Sequence, residues 1–299
     1  MSNQYNRGTI SATKPFIPPI DEYQLKVADI MNRGWLTNQG PCVLELEEKL
    51  KNLFNVDYLL LVTNGTIAIQ MALKALKIQG EVITTPYSYV ATTSSLLWEN
   101  CIPRFCDIDP ETFNIDPSIL ENLISSQTKA ILATNVYGYP CEIEAIQEVA
   151  DKYGVKVIYD SAHCFGTEIN GKSILSFGDI STISFHATKL FHTVEGGAIV
   201  CQSKEMYDEL VLLRNFGHTS PTTFGSMGIN AKMNEFSAAM GLLNLNYIDD
   251  IMSRRKRQWD LYKSLLSEIG LNAASYKFDF NKAYFPLVLK SEAFLLHVL

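Results

Sequence analysis

The chain has 299 residues, 47% of them hydrophobic and 19% charged, with a formal net charge of −7. This globular, acidic composition argues against binding to nucleic acid or to an anionic membrane surface, because both require basic patches. The one basic cluster, residues 254–257, is interpreted as an exposed helix face. The sequence has no apolar run that approaches the ~20 residues required for a membrane-spanning helix.

The cysteine and histidine patterns are typical of a reduced protein without a metal site. Six cysteines are scattered with no Cys-x-x-Cys pair, and five histidines show no zinc-ligand spacing. Residues 1–20 are polar and contain proline, so we expect no secretory signal. We therefore predict a cytoplasmic protein.

Short apolar, β-branched runs alternate with helical periodicity between residues 42 and 215. Strands that are buried on both faces and separated by helices predict an α/β fold with a mostly parallel sheet between helices. Ligands in such sheets lie at the carboxyl ends of the strands. The predicted elements, in chain order, are a helix through residues 43–54, a strand 58–63, a helix 65–78, strands 81–85 and 129–134, a helix 142–153, and strands 155–160, 179–185 and 197–201.

The pattern changes after the last of these strands. A charged helix is predicted over 247–268, then a strand-like run over 283–289 and a helix start at 291–292. The chain ends on apolar residues without a capping signal, which predicts that it stops inside a smaller second domain. A natural C-terminal helix packed on the core is the alternative. We accordingly predict a large domain, 1–245, that includes an N-terminal arm, and a partial small domain, 246–299.

Lys189 is the first candidate for chemistry. It follows an apolar strand that includes Phe185, and it precedes the pair Gly196-Gly197. An apolar setting lowers the pKa of a lysine, and the neutral amine is nucleophilic. Lys189 is therefore a candidate to form a Schiff base with an aldehyde such as pyridoxal phosphate. An ordinary surface lysine is the alternative.

Asp160 is the second candidate, because it ends an apolar strand. A carboxylate there can pair with the pyridine nitrogen of pyridoxal phosphate, keep it protonated and let the ring accept electrons. A helix-capping aspartate is the alternative. His163 follows three residues later, where it can contact the cofactor ring or its phenolic oxygen, or serve as a structural histidine.

A phosphate site is predicted where Asn64-Gly65-Thr66 joins a strand to a helix. Glycine permits a close backbone approach, and a helix N-terminus attracts phosphate. Thr66 adds a hydroxyl, and Ser184 in the strand before the lysine can add another. Tyr89 follows a strand and can stack on the cofactor ring, although core packing is the alternative from spacing alone.

Taken together, these residues resemble the sugar aminotransferases of the DegT/DnrJ/EryC1/StrS family, which are pyridoxal phosphate enzymes. The ordered set covers nearly the whole chain. Its motifs are Gly34 to Thr37 with Gly40-Pro41, Asn64-Gly65-Thr66, Pro86 to Thr92, Tyr137-Gly138 with Pro140, Asp160 to His163, Ser184 to Lys189, Glu195-Gly196-Gly197 and Gly228 to Glu235.

The resemblance implies the aspartate aminotransferase fold, which is fold type I of the pyridoxal phosphate enzymes. It implies that Lys189 is the Schiff-base lysine and the acid and base of the proton shift, and that Asp160 holds the pyridine nitrogen. By the same resemblance Tyr89 stacks on the ring, and His163 stands where many members have glutamine.

The resemblance also assigns the phosphate site and a partner. Gly65, Thr66 and Ser184 would bind the phosphate, and Asn230 would reach the phosphate of a neighbouring subunit. Active sites formed between two chains imply a homodimer. Two departures from the family pattern, Lys232 in place of arginine and Asn135 in place of histidine, leave the cofactor set intact.

The segment 185–197 is most similar to members that aminate C4 of a nucleotide-linked 4-keto-6-deoxy sugar. The resemblance thus implies transfer of an amino group from glutamate in nucleotide-sugar biosynthesis, with a dTDP-4-amino-4,6-dideoxyglucose-type product. A C3-aminating enzyme and a cofactor-binding relative without catalysis, for instance a regulatory one, are the alternatives. Lys189 argues against the dehydratase branch, which has histidine there.

Overall fold

The computed structural model describes residues 13–269, 276–289 and 291. None of the helices in these ranges is both long and apolar enough to cross a membrane. The α-helices in these ranges are α1 (Ile20–Arg33), α2 (Pro41–Phe54), α3 (Gly65–Ala75), α4 (Val90–Trp98), α5 (Ile143–Tyr153), α6 (Lys204–Arg214), α7 (Glu235–Leu245) and α8 (Ile248–Glu268).

The strands form one large sheet and two short hairpins. The strands are β1 (Tyr58–Val62), β2 (Glu81–Thr84), β3 (Ile102–Phe105), β4 (Thr128–Thr134), β5 (Lys156–Asp160), β6 (Glu168–Ile169), β7 (Lys172–Ser173), β8 (Ile180–Ser184), β9 (Gly197–Cys201), β10 (His218–Ser220) and β11 (Thr223–Phe224).

The large sheet has seven strands in the order β1-β9-β8-β5-β4-β2-β3. Strand β9 runs antiparallel to its neighbours β1 and β8. The other neighbouring pairs are parallel. The prediction of a mostly parallel sheet is therefore confirmed. Because β1, β2, β4, β5 and β8 point the same way, their carboxyl ends meet at one edge of the sheet.

Two apolar layers cover the two faces of this sheet. Side chains of a strand alternate between faces, so Ile131 and Tyr159 enter one layer while Leu132 and Ile158 enter the other. Helices α2 and α5 supply the first layer and α3 supplies the second. This double burial explains why the central strands have almost continuous apolar sequences.

The predicted strand over 283–289 is wrong. No strand ladder is found there among the residues that the structure describes. The run packs instead on α8, where the Trp259 Nε1–H donates to the Tyr284 carbonyl at 3.2 Å. The rings of Trp259 and Phe285 are 4.8 Å apart. Aromatic residues favour strands only where a partner strand is present, and here they pack on a helix.

The other predicted elements that fall within the described ranges are present, with bounds that differ by a few residues. Helices α1, α4, α6 and α7 and strand β3 were not predicted. Residues 292–299, with the predicted helix start at Glu292, lie outside the described residues. The division into domains at residues 245 and 246 stays a prediction.

A buried ion pair joins α2 to α6 beneath β1. The Glu47 carboxylate accepts from Arg214 Nη1 at 2.6 Å and from the Leu61 N–H at 2.9 Å. Arg214 Nη1 also donates to the Leu61 carbonyl at 3.0 Å. Both charged side chains are almost fully buried. The pair therefore fixes the end of β1, from which the predicted phosphate turn departs.

Replacing Glu47 by alanine is expected to lower the free energy of unfolding by about 3–5 kcal/mol, because the guanidinium of Arg214 is left buried without its charged partner. Urea unfolding followed by circular dichroism measures the change. The control is Glu45→Ala on the same helix, where Glu45 forms an exposed pair with Lys49 at 2.8 Å. That change is expected to cost at most about 1 kcal/mol, and equal losses in the two variants would contradict the prediction.

Candidate active site

A cavity of about 1150 Å³ lies at the edge of the sheet where the carboxyl ends of the parallel strands meet. Its walls come from the segments that follow β1, β2, β4, β5 and β8, together with residues 233, 234, 237 and 284. Seven of the eight predicted site residues line it: Gly65, Thr66, Tyr89, Asp160, His163, Ser184 and Lys189. The eighth, Asn230, is exposed and is not among the lining residues.

The turn before α3 has the geometry of an anion site. The Asn64 side chain accepts from the Ile67 N–H at 2.9 Å and so caps the helix. The earlier N–H groups of the first turn have no partner within the helix and remain available to a ligand. The hydroxyls of Thr66 and Ser184 line the same cavity. A helix N-terminus with added hydroxyl donors suits a phosphate group.

Close packing of backbone segments forms this turn. A Cβ on Gly65 would lie 2.9 Å from the Ser184 Cβ. A Cβ on Gly197 would lie 2.7 Å from the Asn64 carbonyl carbon and 2.8 Å from the Ile183 carbonyl oxygen. All three distances are shorter than real Cβ contacts, so only glycine fits at the two positions. The two glycines of the predicted motifs thus bring β1, β8 and β9 together at the phosphate turn.

Asp160 ends β5 inside the cavity and is 6% exposed. Burial raises the pKa of its carboxyl group above the ordinary value. Three groups oppose this rise: the Thr92 hydroxyl, the Ala162 N–H and the charge of Lys189. The hydroxyl donates to Oδ2 at 2.7 Å, and the N–H donates to Oδ1 at 3.1 Å.

Lys189 lies on the segment that connects β8 to β9, behind the buried side chains of Phe185 and Leu190. Burial lowers the pKa of its amine, while the nearby charge of Asp160 opposes the change. Its Nζ has no hydrogen-bond partner among the residues that the structure describes. A half-buried, unpaired amine with a lowered pKa is a potential nucleophile and base.

His163 lines the cavity as a neutral ring. Burial and the nearby charge of Lys189 lower its pKa to about 3. Its Nδ1 is buried and has no partner among the described residues. The ring lies on that of Tyr284, with centroids 4.4 Å apart. His163 therefore adds to the cavity lining a residue with a buried polar atom that has no partner in the described part of the fold.

Aromatic side chains that the sequence did not reveal as site residues form another wall. The Tyr87 and Tyr137 hydroxyls are hydrogen-bonded at 2.7 Å, and both residues line the cavity. Tyr137 has a φ of 57°, which is uncommon for a residue with a side chain. Tyr284 comes from the run that was predicted as a strand, so its position was hidden by that error.

The remaining sequence candidates lie at the rim or outside. Tyr89 is at the cavity mouth with 78% of its surface exposed. Asn135 is fully buried, donates to Ser161 Oγ at 2.9 Å and accepts from the Cys141 N–H at 2.8 Å. Lys232 is away from the cavity lining and donates to Asn215 Oδ1 at 2.9 Å.

Comparisons with known proteins agree with this geometry. The model of the DegT/DnrJ/EryC1/StrS aminotransferase family matches residues 20–294. A dTDP-4-amino-4,6-dideoxy-D-glucose transaminase of Shigella dysenteriae is 44% identical over 286 residues, which cover 95% of this chain and 78% of that protein.

Two solved structures are similar to the whole fold. The structure of DesI in the presence of its TDP-sugar product has a TM-score of 0.86 at 32% identity, covering 91% of this chain and 70% of that one. The PLP-form of Spr1654 from Streptococcus pneumoniae has a TM-score of 0.83 at 26% identity, covering 91% and 77%. The predicted fold class is thereby confirmed.

A pH series tests the burial of His163. Its pKa is about 3 in the fold against an ordinary 6.5, so its contribution to stability is complete above pH 6.5 and is lost as the pH falls. We expect the ligand-free protein to lose about 1.4 kcal/mol of unfolding free energy per pH unit below 6.5, relative to His163→Gln. Urea unfolding of both proteins between pH 5 and 8 measures this. Curves that stay parallel, at a constant offset, would contradict the prediction, because lost packing on Tyr284 alone produces such an offset.

Proposed function

The chain belongs to the DegT/DnrJ/EryC1/StrS aminotransferase family, and we propose that it transfers an amino group from glutamate to C4 of a nucleotide-linked 4-keto-6-deoxy sugar. Pyridoxal phosphate is the cofactor, and the product is of the dTDP-4-amino-4,6-dideoxyglucose type. One observation carries the proposal: Lys189, Asp160 and the capped N-terminus of α3 line one cavity. The name of the Shigella relative supports the choice of sugar.

The residues of the cavity fit pyridoxal phosphate at three separate points. The turn Asn64-Gly65-Thr66 with Ser184 suits its phosphate. The buried Asp160 carboxylate suits its pyridine nitrogen, since a buried carboxylate is favoured by a cationic partner. The unpaired Lys189 amine suits its aldehyde.

When bound, pyridoxal phosphate supplies an aldehyde that takes up the amino group and a ring that accepts the electron pair left on carbon when a proton is removed. Asp160 would keep the pyridine nitrogen protonated. Tyr89 would cover one face of the ring, and His163 would meet the ring or its phenolic oxygen. These roles follow the resemblance at positions that line the cavity.

Lys189 moves the proton in both halves of the reaction. In the first half its neutral Nζ removes the proton from the α-carbon of glutamate. In the second half the Nζ ammonium delivers a proton to C4 of the sugar. The lowered pKa favours the neutral amine that the first step requires. Tyr87, Tyr137 and Tyr284 form an aromatic wall of the same cavity.

The active enzyme is a homodimer in this proposal. Asn230 is exposed and outside the cavity of its own chain, so that it is free to reach the phosphate of a partner. Large apolar side chains are also exposed: Tyr89 at the cavity mouth, 78%, Trp98 at the end of α4, 78%, and Met227, three positions before Asn230, 71%. Exposed apolar surface of this kind favours a protein interface. A cytoplasmic location stays a prediction from the sequence.

A spectral titration tests the cofactor and the first half-reaction. With pyridoxal phosphate, the protein is expected to absorb at about 410–420 nm, and glutamate should move the band to about 330 nm. Lys189→Ala should lose the first band and at least about 10²-fold in turnover. Lys189→Arg is the stricter control, because it keeps the charge and cannot supply a neutral amine. A band that ignores glutamate would favour the non-catalytic alternative.

Product analysis tests the position of amination. Incubated with glutamate and a dTDP-linked 4-keto-6-deoxyglucose, the protein should yield a sugar whose carbon-bound nitrogen is at C4 by two-dimensional NMR. The matched substrate is the corresponding 3-keto sugar, which should react at least about tenfold more slowly in kcat/KM. The opposite preference would establish the C3-aminating alternative.

A further inference from the structure

A chain of three hydroxyl groups leads away from the buried Asp160 carboxylate. Thr92 Oγ1 in α4 lies 2.7 Å from Asp160 Oδ2. Ser88 Oγ, in the segment between β2 and α4, lies 2.6 Å from Thr92 Oγ1. Thr134 Oγ1, at the end of β4, lies 3.2 Å from Ser88 Oγ. The three hydroxyls come from separate positions along the sequence and meet only in the fold.

The direction of the hydrogen bonds follows from counting protons. A hydroxyl has one proton to donate, and an ionised carboxylate can only accept. With Asp160 ionised, the Thr92 proton points to Oδ2, and Ser88 must then donate to Thr92 Oγ1. Thr134 donates to Ser88 Oγ in turn. All three protons thus point toward the carboxylate, and hydrogen bonds in such a line strengthen one another.

Few other groups favour the charge of Asp160. The Ala162 N–H donates to Oδ1 at 3.1 Å. Lys189, on the segment after β8, interacts with the carboxylate as a charge, but burial disfavours its own charged form. Cys164 and His163, on the segment after β5, are also titratable, and burial favours the neutral form of each. The Thr92 hydroxyl is the strongest of the groups that oppose the effect of burial.

We propose that Thr92, oriented by Ser88 and Thr134, is a positioning residue that keeps Asp160 ionised within the cavity. The inference rests on the proposed function, because a carboxylate in this state is what holds the pyridine nitrogen protonated. Thr92 acts through Asp160. Ser88 and Thr134 act through Thr92. The three hydroxyl groups thus stabilise the charge of the Asp160 carboxylate and are themselves uncharged.

The reverse chain is a distinct alternative with an opposite consequence. If Asp160 were protonated, it would donate to Thr92, Thr92 to Ser88, and Ser88 to Thr134. The hydroxyls would then stabilise the neutral acid, and removing Thr92 would lower the pKa of Asp160 or leave it unchanged. A titration of Asp160 in the presence and absence of the Thr92 hydroxyl separates the two arrangements.

The experiment is a ¹³C NMR titration of the aspartate carboxyl groups in the full chain without cofactor, with Asp160→Asn to assign the signal. Thr92→Val keeps the shape and removes the hydroxyl. It is expected to raise the pKa of Asp160 by about one to two units, because hydrogen bonds to charged groups have that strength. Thr92→Ser, which restores a hydroxyl, is expected to return most of the shift. An unchanged or lower pKa in Thr92→Val would overturn the proposal.

Thr182→Val is the matched control. Thr182 pairs with Asp160 in the register of β5 and β8, and it is 1% exposed. Its hydroxyl donates to the Tyr159 carbonyl at 3.4 Å and not to Asp160. Its loss should leave the Asp160 titration unchanged, and an equal rise in this variant would overturn the proposal. Ser88→Ala keeps the proposal testable if Thr92→Val does not fold. It is expected to raise the pKa of Asp160 by less than Thr92→Val does. An unchanged pKa of Asp160 in Ser88→Ala would overturn the role of the hydroxyl chain.

The result is independent of the proposed function. If the wild type neither binds pyridoxal phosphate nor responds to glutamate, the proposed function fails, while the Asp160 titration still reports on the hydroxyl chain. If the wild type is active and the titration shows no effect of Thr92, only the present inference fails. In the active case, Thr92→Val should lower kcat about tenfold or more, with a smaller change in the KM for glutamate.

Discussion

The burial of the Asp160 carboxylate is the constraint on which the rest of the cavity depends. An ionised carboxylate away from water is costly unless several donors surround it. Its two hydrogen-bond donors come from α4 and from the segment after β5, and the charge of Lys189 lies on the loop after β8. These three elements follow β2, β5 and β8, and they meet because these strands lie on the same side of the sheet, in the order β8-β5-β4-β2. The strand order therefore determines which groups surround the Asp160 carboxylate as well as how the core packs.

The same edge of the sheet has one place that favours an anion and another that favours a cation. Backbone N–H groups at the start of α3 favour an anion, while Asp160 favours a cation. Burial also moves Asp160 and Lys189 toward their neutral forms, so that the ligand-free site holds ionisable groups in an unfavourable setting. A ligand with a phosphate at one end and a protonated ring nitrogen at the other would pair with the N–H groups of α3 and with the Asp160 carboxylate. Its binding would therefore stabilise the fold.

The sequence predicts the parts of this structure that depend on local patterns. Continuous apolar runs identified β1, β4 and β5, and glycine motifs identified the phosphate turn. It did not reveal α7, because nearly every residue there is buried and the periodicity is lost. Strand β3 escaped notice because it is an edge strand with exposed positions. Thr92 was missed as a site residue because its contact with Asp160 spans 68 positions in the sequence. Such contacts exist only once the sheet order is known.

Three carboxylates are buried in the part of the chain that the structure describes, and the way in which each is stabilised distinguishes a structural role from a chemical one. Glu47 is neutralised by the guanidinium of Arg214. Glu235, which is fully buried, accepts the N–H groups of Cys42 and Val43 at the start of α2 and forms an ion pair with Arg33 at 3.6 Å. Both therefore serve as internal clamps. Asp160 is held mainly by a hydroxyl and one N–H group, which carry no net charge. Neutral donors keep a carboxylate ionised without cancelling its field, so that its negative charge remains available to a cationic group of a ligand. A full ion pair at Asp160 would have neutralised that charge and removed the capacity.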